Sequence, residues 1–423
     1  MRSLLFLIVF AFVLTGKGTA QGTCTTQEYR EQLIRNHPSF AASIQKASLL
    51  NTPAFQQELI SGTAENVTNT PALIRIPVVV HVVYNRDEQN ISEDQVRSQI
   101  ETLNKEFRKA HADTTLIPAH FRELAADCYI EFALAKVDPK GYATSGIIRK
   151  FSSIKTFGMD DRIKSNATGG SDAWDNERYL NIWVGNLVGG IIGYSSPLGG
   201  PPEKDGIVVA YFAFGTRGNI RSPYNKGRTT LHEVGHWLGL KHIWGEANCG
   251  SDEVEDTPPQ SGPTRGCPGG VVRSCGNNTK GNMYNNYMDL TNDECINMFT
   301  IGQRDRMRAS FLPGNPRNAL LRSTALTATP IAGTVTAEDS AMRKGMQVYP
   351  NPAYDRVLIV YEGSVLPEGN TITIHNSFGQ LVVFKRSFTR ETQLELHAMK
   401  EGLYYIRING QSAPFKLIKA ARQ

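Results

Sequence analysis

The chain has 423 residues, 40% of them hydrophobic and 20% charged, so it is long enough for two or three domains and too apolar to be disordered. Its formal charge of +5 comes from Lys and Arg spread along the chain rather than clustered, which excludes a nucleic-acid-binding footprint.

Arg2 supplies a positive start, Leu4 to Leu14 is an apolar run, and small residues precede Gln21. That run is too short to span a bilayer as a mature helix, so residues 1–20 read as a cleaved signal peptide. No other stretch is long and apolar enough to cross a membrane, and the mature protein is expected to be exported and soluble. Residues 21–69 are polar, with helix-like pieces at TTQEYREQLIRNH and SIQKASLLN.

From Ile74 the pattern changes. IRIPVVVHVVY is a strand, and Ser92 N-caps a helix in which Val96, Ile100, Leu103 and Phe107 recur at helical spacing. Further strands are expected at CYIEFALAKV, YLNIWVGNL, GGIIGYSS and DGIVVAYFAFG. Five strands with two long helices predict a mixed α/β (α+β) domain over residues 70–312, built on a five-stranded sheet. Residues 313–345 are Thr, Ala and Pro-rich without periodicity and read as a linker. In residues 346–423, RVLIVYEG, NTITIHNSFG, QLVVFKRSF, TQLELHAM and GLYYIRING alternate as short strands between turns, the pattern of a small β-sandwich.

Three of the nine histidines fall in HEVGHWLGLKH, His232 to His242. Residues four apart share a helix face, so His232 and His236 can address one ion. Leu231, Val234, Trp237 and Leu238 would seat that helix. Gly239 would let the chain leave it at positive φ and return His242 to the same point. Three neutral imidazoles with one open position suit catalytic zinc, which acidifies a water, and Glu233 is placed to act as general base and then acid. Histidines merely satisfied in a core would not need this spacing, and His37, His81, His111, His120, His375 and His397 read as ordinary core or surface residues.

Export makes disulfides permissible. Cys249, Cys267, Cys275 and Cys295 lie in a Gly, Pro and Asn-rich stretch and suggest two bonds, with three pairings open. Cys24 and Cys128 remain. Asp252, Asp256 and Thr257 offer oxygen ligands of the kind calcium takes, or a solvated acidic loop.

HEVGHWLGLKH fits H-E-x-x-H-x-x-G-x-x-H and resembles the metzincin metalloproteases. NNYMDL, with Met288, is similar to their methionine turn beneath the zinc. Together with IPVVVHVVY, YLNIWV, DGIVVAYFAFG, DTPP and NMFTIGQRDRM, the resemblance from about Ile74 to Leu312 is to the pappalysin family. It implies a split catalytic domain with the active-site helix between its halves, endopeptidase activity on protein or peptide substrates, and a preference for a basic residue after the cut bond. It also implies structural calcium at Asp252, Asp256 and Thr257, and the pairing Cys249–Cys275 with Cys267–Cys295. The pro-forms of this family use a cysteine as a zinc ligand, which implies that Cys24 closes the site in a latent zymogen; a Cys24–Cys128 disulfide is the alternative. The family often has a tyrosine two residues after the methionine; Leu290 stands there instead, so stabilisation of the tetrahedral intermediate is expected to rest more heavily on zinc.

The tail, through YPNP, NSFGQ and EGLYYIRI, resembles the C-terminal sorting domain of type IX secretion. This implies passage across an outer membrane by secretion machinery and a secreted or cell-surface location. A surface-binding or adhesion protein with a vestigial metal site is the rival reading, against which the intact Glu233 argues. A thermolysin-type site using Glu246 or Glu255 is made unnecessary by His242.

Overall fold

A computed structural model describes residues 22–50, 71–330, 346–350, 352–361, 369–409 and 415–420. The expected signal peptide, and residues 51–69 of the polar segment that follows it, lie outside the described residues. Among the described residues no helix is long and apolar enough to cross a membrane.

The seven-stranded sheet is built around β2 (Ile74–Tyr84), which is buried at every position but Arg75. A near-continuous apolar strand is what a parallel sheet covered on both faces requires. Strands β3 (Ile130–Leu134) and β4 (Ile147–Phe151) share one edge of β2, each pairing with half its length, and β5 (Leu180–Gly185) takes the other edge. All three pairings are parallel. Next come β7 (Ile207–Ala210), parallel to β5, and β6 (Ile191–Ser195), antiparallel to β7. The five expected strands are therefore present, with two additions that make the sheet seven-stranded. One is β4, whose IIRKF sequence is too mixed to announce itself. The other is β1 (Thr23–Cys24), which comes from the segment ahead of the domain and lies parallel on β6.

Helix α1 (Thr26–Asn36) and helix α2 (Ala41–Leu50) follow β1. Helix α3 (Glu93–Phe107) is capped by Ser92, whose hydroxyl accepts from the Gln95 amide at 3.1 Å, and it buries Val96, Ile100, Leu103 and Phe107. Helix α4 (Arg228–Trp237) is buried at every position and packs on β6, β7 and α3. A helix buried all round is positioned by tertiary packing more than by propensity. Truncating Leu231, fully buried in it, to alanine would cost about 2–5 kcal/mol.

The stretch expected to be a linker from residue 313 is packed for its first part. Arg317 is buried, donates to Asp205 through both terminal guanidinium nitrogens at 2.6 and 2.8 Å, and lies 3.8 Å over the Trp237 ring, behind the histidine helix. Ala325 accepts the backbone amides of Lys136 and Val137. A single arginine anchor in a Thr and Ala-rich stretch leaves no periodic trace, which is why the pattern reads as loose chain.

In the tail, one antiparallel sheet has the order β11-β10-β13-β14 and a second the order β12-β9-β8. They comprise β8 (Met346–Tyr349), β9 (Arg356–Tyr361), β10 (Asn370–Asn376), β11 (Leu381–Ser387), β12 (Glu391–Glu395), β13 (Gly402–Ile408) and β14 (Phe415–Lys419). Val357, Ile359, Ile372, Ile374, Leu394, Ile406 and Leu417, drawn from both sheets, form one buried cluster. The alternation seen in the sequence is the alternation of these inward residues.

Candidate metal centre

His232 and His236 project from one face of α4. The helix ends after Trp237, and Gly239 at φ +95° turns the chain so that His242 comes back beneath it. Their three Nε2 atoms stand 3.0, 3.2 and 3.2 Å apart. Ligands about 2.0–2.1 Å from a tetrahedral zinc stand roughly 3.3–3.4 Å apart, so the triangle fits the ion to within a few tenths of an ångström.

The outer nitrogens fix the tautomers. His232 Nδ1 donates to the Tyr287 carbonyl at 2.6 Å, His236 Nδ1 to the Leu240 carbonyl at 2.9 Å, and His242 Nδ1 to the Glu246 carboxylate at 2.8 Å. All three partners only accept, so every Nδ1 carries its proton and every Nε2 presents a lone pair to the other two. Burial pushes all three imidazoles below their ordinary pKa, His242 to about 3, so protonation does not relieve that repulsion. A divalent cation held by the three Nε2 atoms would.

Cys24 Sγ joins the same cluster, the four candidate ligand atoms lying within 4.8 Å of one another. The cysteine is buried and free, as is Cys128, so no bond joins the two. Strand β1 brings it there: the Thr23 amide donates to the Gly190 carbonyl at 3.0 Å and the Thr25 amide to that of Gly193 at 3.2 Å.

Glu233 lies beside this cluster, fully buried. Thr26 donates to its Oε2 at 2.9 Å, while Oε1 has no hydrogen-bond partner. Burial pushes its pKa up to about 8, against the Thr26 and Cys24 hydrogen bonds. Gly193 of β6 covers the carboxylate so closely that a Cβ there would come within 2.8 Å of Oε1. Met288 sits below α4, where a Cβ at Gly235 would meet its sulfur at 2.6 Å. Leu290, the departure from the family pattern, lines a cavity together with Cys24, His232, Glu233, Asp289 and Asp293.

Away from the histidines, Cys249 is bonded to Cys275 and Cys267 to Cys295, with Cα atoms 5.6 and 5.7 Å apart. Of the three candidate calcium ligands, Asp252 and Thr257 are together, the threonine hydroxyl donating to both carboxylate oxygens at 2.8 and 2.9 Å. Asp256 turns instead to the start of helix α5 (Ile301–Ala309), accepting from the Thr300 hydroxyl at 2.6 Å and the Gly302 amide at 2.9 Å. His81 is a core residue held by Ser171 and Asn181, and His111 is buried against the Asn297 carbonyl.

Three residues of the site escape the sequence pattern. Thr26 reaches Glu233 from 207 positions away. Glu246, weighed only as a metal ligand, instead orients His242, and an acid four residues after the last histidine was the available signal. Tyr287 holds His232 through its backbone while its hydroxyl donates to Glu106.

A family model described as pregnancy-associated plasma protein-A matches residues 164–312, and one described as a secretion system C-terminal sorting domain matches residues 347–419. An extracellular metalloprotease of Arthroderma benhamiae is 30% identical over 256 residues, which are 58% of this chain and 75% of the relative. One from Pyricularia oryzae is 40% identical over 139 residues, 31% of this chain and 48% of its own. Among solved structures, a mutant promirolysin from Tannerella forsythia superposes with a TM-score of 0.63 at 41% identity, covering 73% of this chain and all of its own. Mature mirolysin of the same organism, in complex with a cleaved peptide, gives 0.58 at 45% identity over 60% of this chain and 97% of its own. With its histidine centre and these relatives, the chain belongs to the pappalysin family of zinc metalloendopeptidases and is exported to the cell surface or beyond by a type IX sorting domain.

Proposed function

We propose that the protein is a latent endopeptidase in which His232, His236 and His242 hold zinc, Met288 underlies it, Glu233 moves the proton, and Cys24 closes the open position until residues 21–69 are removed. The observation that carries this reading is the convergence of three neutral Nε2 lone pairs and the Cys24 sulfur beside a carboxylate oxygen with no partner. Bound zinc supplies a Lewis acid that polarises the scissile carbonyl and acidifies water.

Glu233 Oε1 takes the proton of the attacking water and returns it to the leaving amine. A carboxyl pushed up to about 8 in the closed form holds that proton readily; opening the cleft to water lowers it towards the range a general base needs. Cys24 takes the fourth position and Thr26 holds Oε2 of Glu233, so one short segment closes the metal site and engages the base beside it. Burial and the Glu233 carboxylate raise the Cys24 thiol well above its ordinary value, so its deprotonation there requires a cation.

A preference for Arg or Lys after the cut bond is supported by two carboxylates, Asp289 and Asp293, lining the cavity that contains Glu233 and His232. For calcium, Asp252 and Thr257, next to Asp256, supply the oxygens; burial pushes the Asp252 carboxyl up to about 7, which a cation would reverse. The tail acts as a β-sandwich recognised by the export machinery.

The test is cleavage of a mixed peptide library by the chain without its signal peptide, beside Glu233→Gln and Cys24→Ser. Cleavage abolished in the first and appearing sooner in the second is expected, with basic residues after the cuts. No cleavage by any variant after removal of residues before Ile74, with zinc supplied, contradicts the reading.

A further inference from the structure

Helix α1 does not rest on the catalytic domain through apolar contacts alone. Tyr29 is 1% exposed, and its ring lies 4.7 Å from that of Tyr194 on β6. Its hydroxyl donates to Asp161 Oδ1 at 2.7 Å and accepts from Lys164 Nζ at 3.0 Å. Lys164, with a side chain 1% exposed, also lies 3.2 Å from Asp161 and donates to the Lys204 carbonyl at 2.9 Å. The Lys204 ammonium holds the other Asp161 oxygen at 3.1 Å. The Lys164 ammonium lies 5.4 Å from the Trp183 ring centroid and 5.2 Å from that of Tyr194. Every one of these partners except Tyr29 belongs to the catalytic domain. Asp161 is a non-glycine residue at φ +60°, a conformation kept where the surroundings over-determine it.

This is a socket built for a phenol. One charged acceptor and one charged donor meet a single hydroxyl oxygen, and an aromatic wall receives the ring. Burial alone would raise the Asp161 carboxyl, but Lys164, the Tyr29 hydroxyl and Lys204 outweigh it and hold the group below its usual range, so the acceptor is ionised. A buried charged pair that loses such a partner to a phenyl ring is left under-satisfied, which is how polar sites reject the analogue lacking the hydroxyl.

We propose that, once the segment ahead of the domain has left, the Asp161–Lys164 socket is a substrate subsite selecting a tyrosine on the amino-terminal side of the cut bond. This rests on the peptidase reading above. The side follows from the chain path. Gly22 enters beside the Asp289 and Asp293 cavity, assigned above to the residue after the cut. β1 then runs parallel to β6, and Thr26 reaches the Ser195 amide at 2.9 Å at the far end of that strand. Tyr29 lies beyond it. Helical residues advance about 1.5 Å each and extended ones about 3.3 Å, so an extended substrate would span the same path with its tyrosine roughly three to five residues before the cut.

The zinc-loaded full-length chain, taken through its own processing until the segment before Ile74 is gone, is given matched peptides carrying arginine after the cut. A single Tyr or Phe is scanned through the six preceding positions and kcat/KM is read. At one position Tyr is expected to exceed Phe by about tenfold, and Asp161→Asn to bring that ratio close to one. A ratio near one at every position with the wild-type enzyme overturns the proposal, as does a tenfold ratio that persists in Asp161→Asn. A second measurement needs no enzyme variant. A labelled peptide of residues 22–36 and its Tyr29→Phe form are titrated onto the processed wild-type enzyme by fluorescence polarisation. About tenfold weaker binding of the Phe form is expected, and equal binding overturns the proposal. Absence of all cleavage would instead refute the peptidase reading, and the binding comparison would still decide the socket.

Discussion

Two clusters among the described residues gather metal-type ligands within 4.8 Å: His232, His236, His242 and Cys24 in one, all buried, and Glu106, His111 and the half-buried Asp113 in the other. They differ in where their positive charge comes from. Arg228 reaches Glu106 at 2.8 Å and Asp113 at 2.7 Å, so the second cluster contains its own cation. In the first, the outer nitrogens are spent on acceptors and the inner ones offer only lone pairs. Proximity of ligand-type residues is therefore a poor sign of a metal; a set of donors with no internal cation is a good one. The two are connected, since Tyr287 gives its carbonyl to His232 and its hydroxyl to Glu106.

Substitutions should separate the clusters cleanly. His236→Ala is expected to take zinc content from one per chain to near zero and to reduce peptide cleavage about 10³-fold or more, as read by elemental analysis and a fluorogenic peptide. Retained zinc would break the comparison. Glu233→Gln should lower kcat by about 10²–10⁴-fold with zinc content unchanged. Arg228→Met strips the second cluster of its cation and should destabilise the fold by about 3–5 kcal/mol, measured by denaturant unfolding; a neutral outcome would mean that Glu106 and Asp113 need no counter-charge.

Glu246→Gln leaves His242 in place but weakens the acceptor at its Nδ1, so zinc affinity should fall about 10–100-fold in a competition titration with a chelator. The smallest effect concerns pH. Burial pushes the Asp293 carboxyl up to about 6, so it is neutral below that value and charged above it. Discrimination in favour of Arg over a neutral residue after the cut should grow as pH rises through about 6, and Asp293→Asn should flatten the trend. A preference equally strong at pH 5 and pH 8 would remove Asp293 from that role.

The histidine cluster was legible because it is local: one helix face and one glycine turn carry all three candidate ligands, and the spacing of His232, Glu233, His236, Gly239 and His242 points to the chemistry proposed for them. The strands of the sheet were legible where burial makes them continuously apolar, as in β2. What the sequence does not display is long-range. Thr26 at Glu233, Tyr29 in its socket, Arg317 behind Trp237 and Arg228 between two carboxylates are single polar residues whose meaning lies in a partner far along the chain. Periodicity cannot register a contact made once. Asp256 shows the converse, a residue whose local company suggests an ion while its tertiary partner is a helix start.

The central claim is that the latent chain holds one zinc through three imidazoles with the Cys24 sulfur closing the fourth position. X-ray absorption at the zinc edge of the unprocessed full-length protein tests it most directly. Three nitrogen neighbours at about 2.0–2.1 Å and one sulfur at about 2.3 Å are expected, with the sulfur absent in Cys24→Ser. A zinc shell without sulfur in the unprocessed wild-type chain, or no bound zinc, would contradict the account.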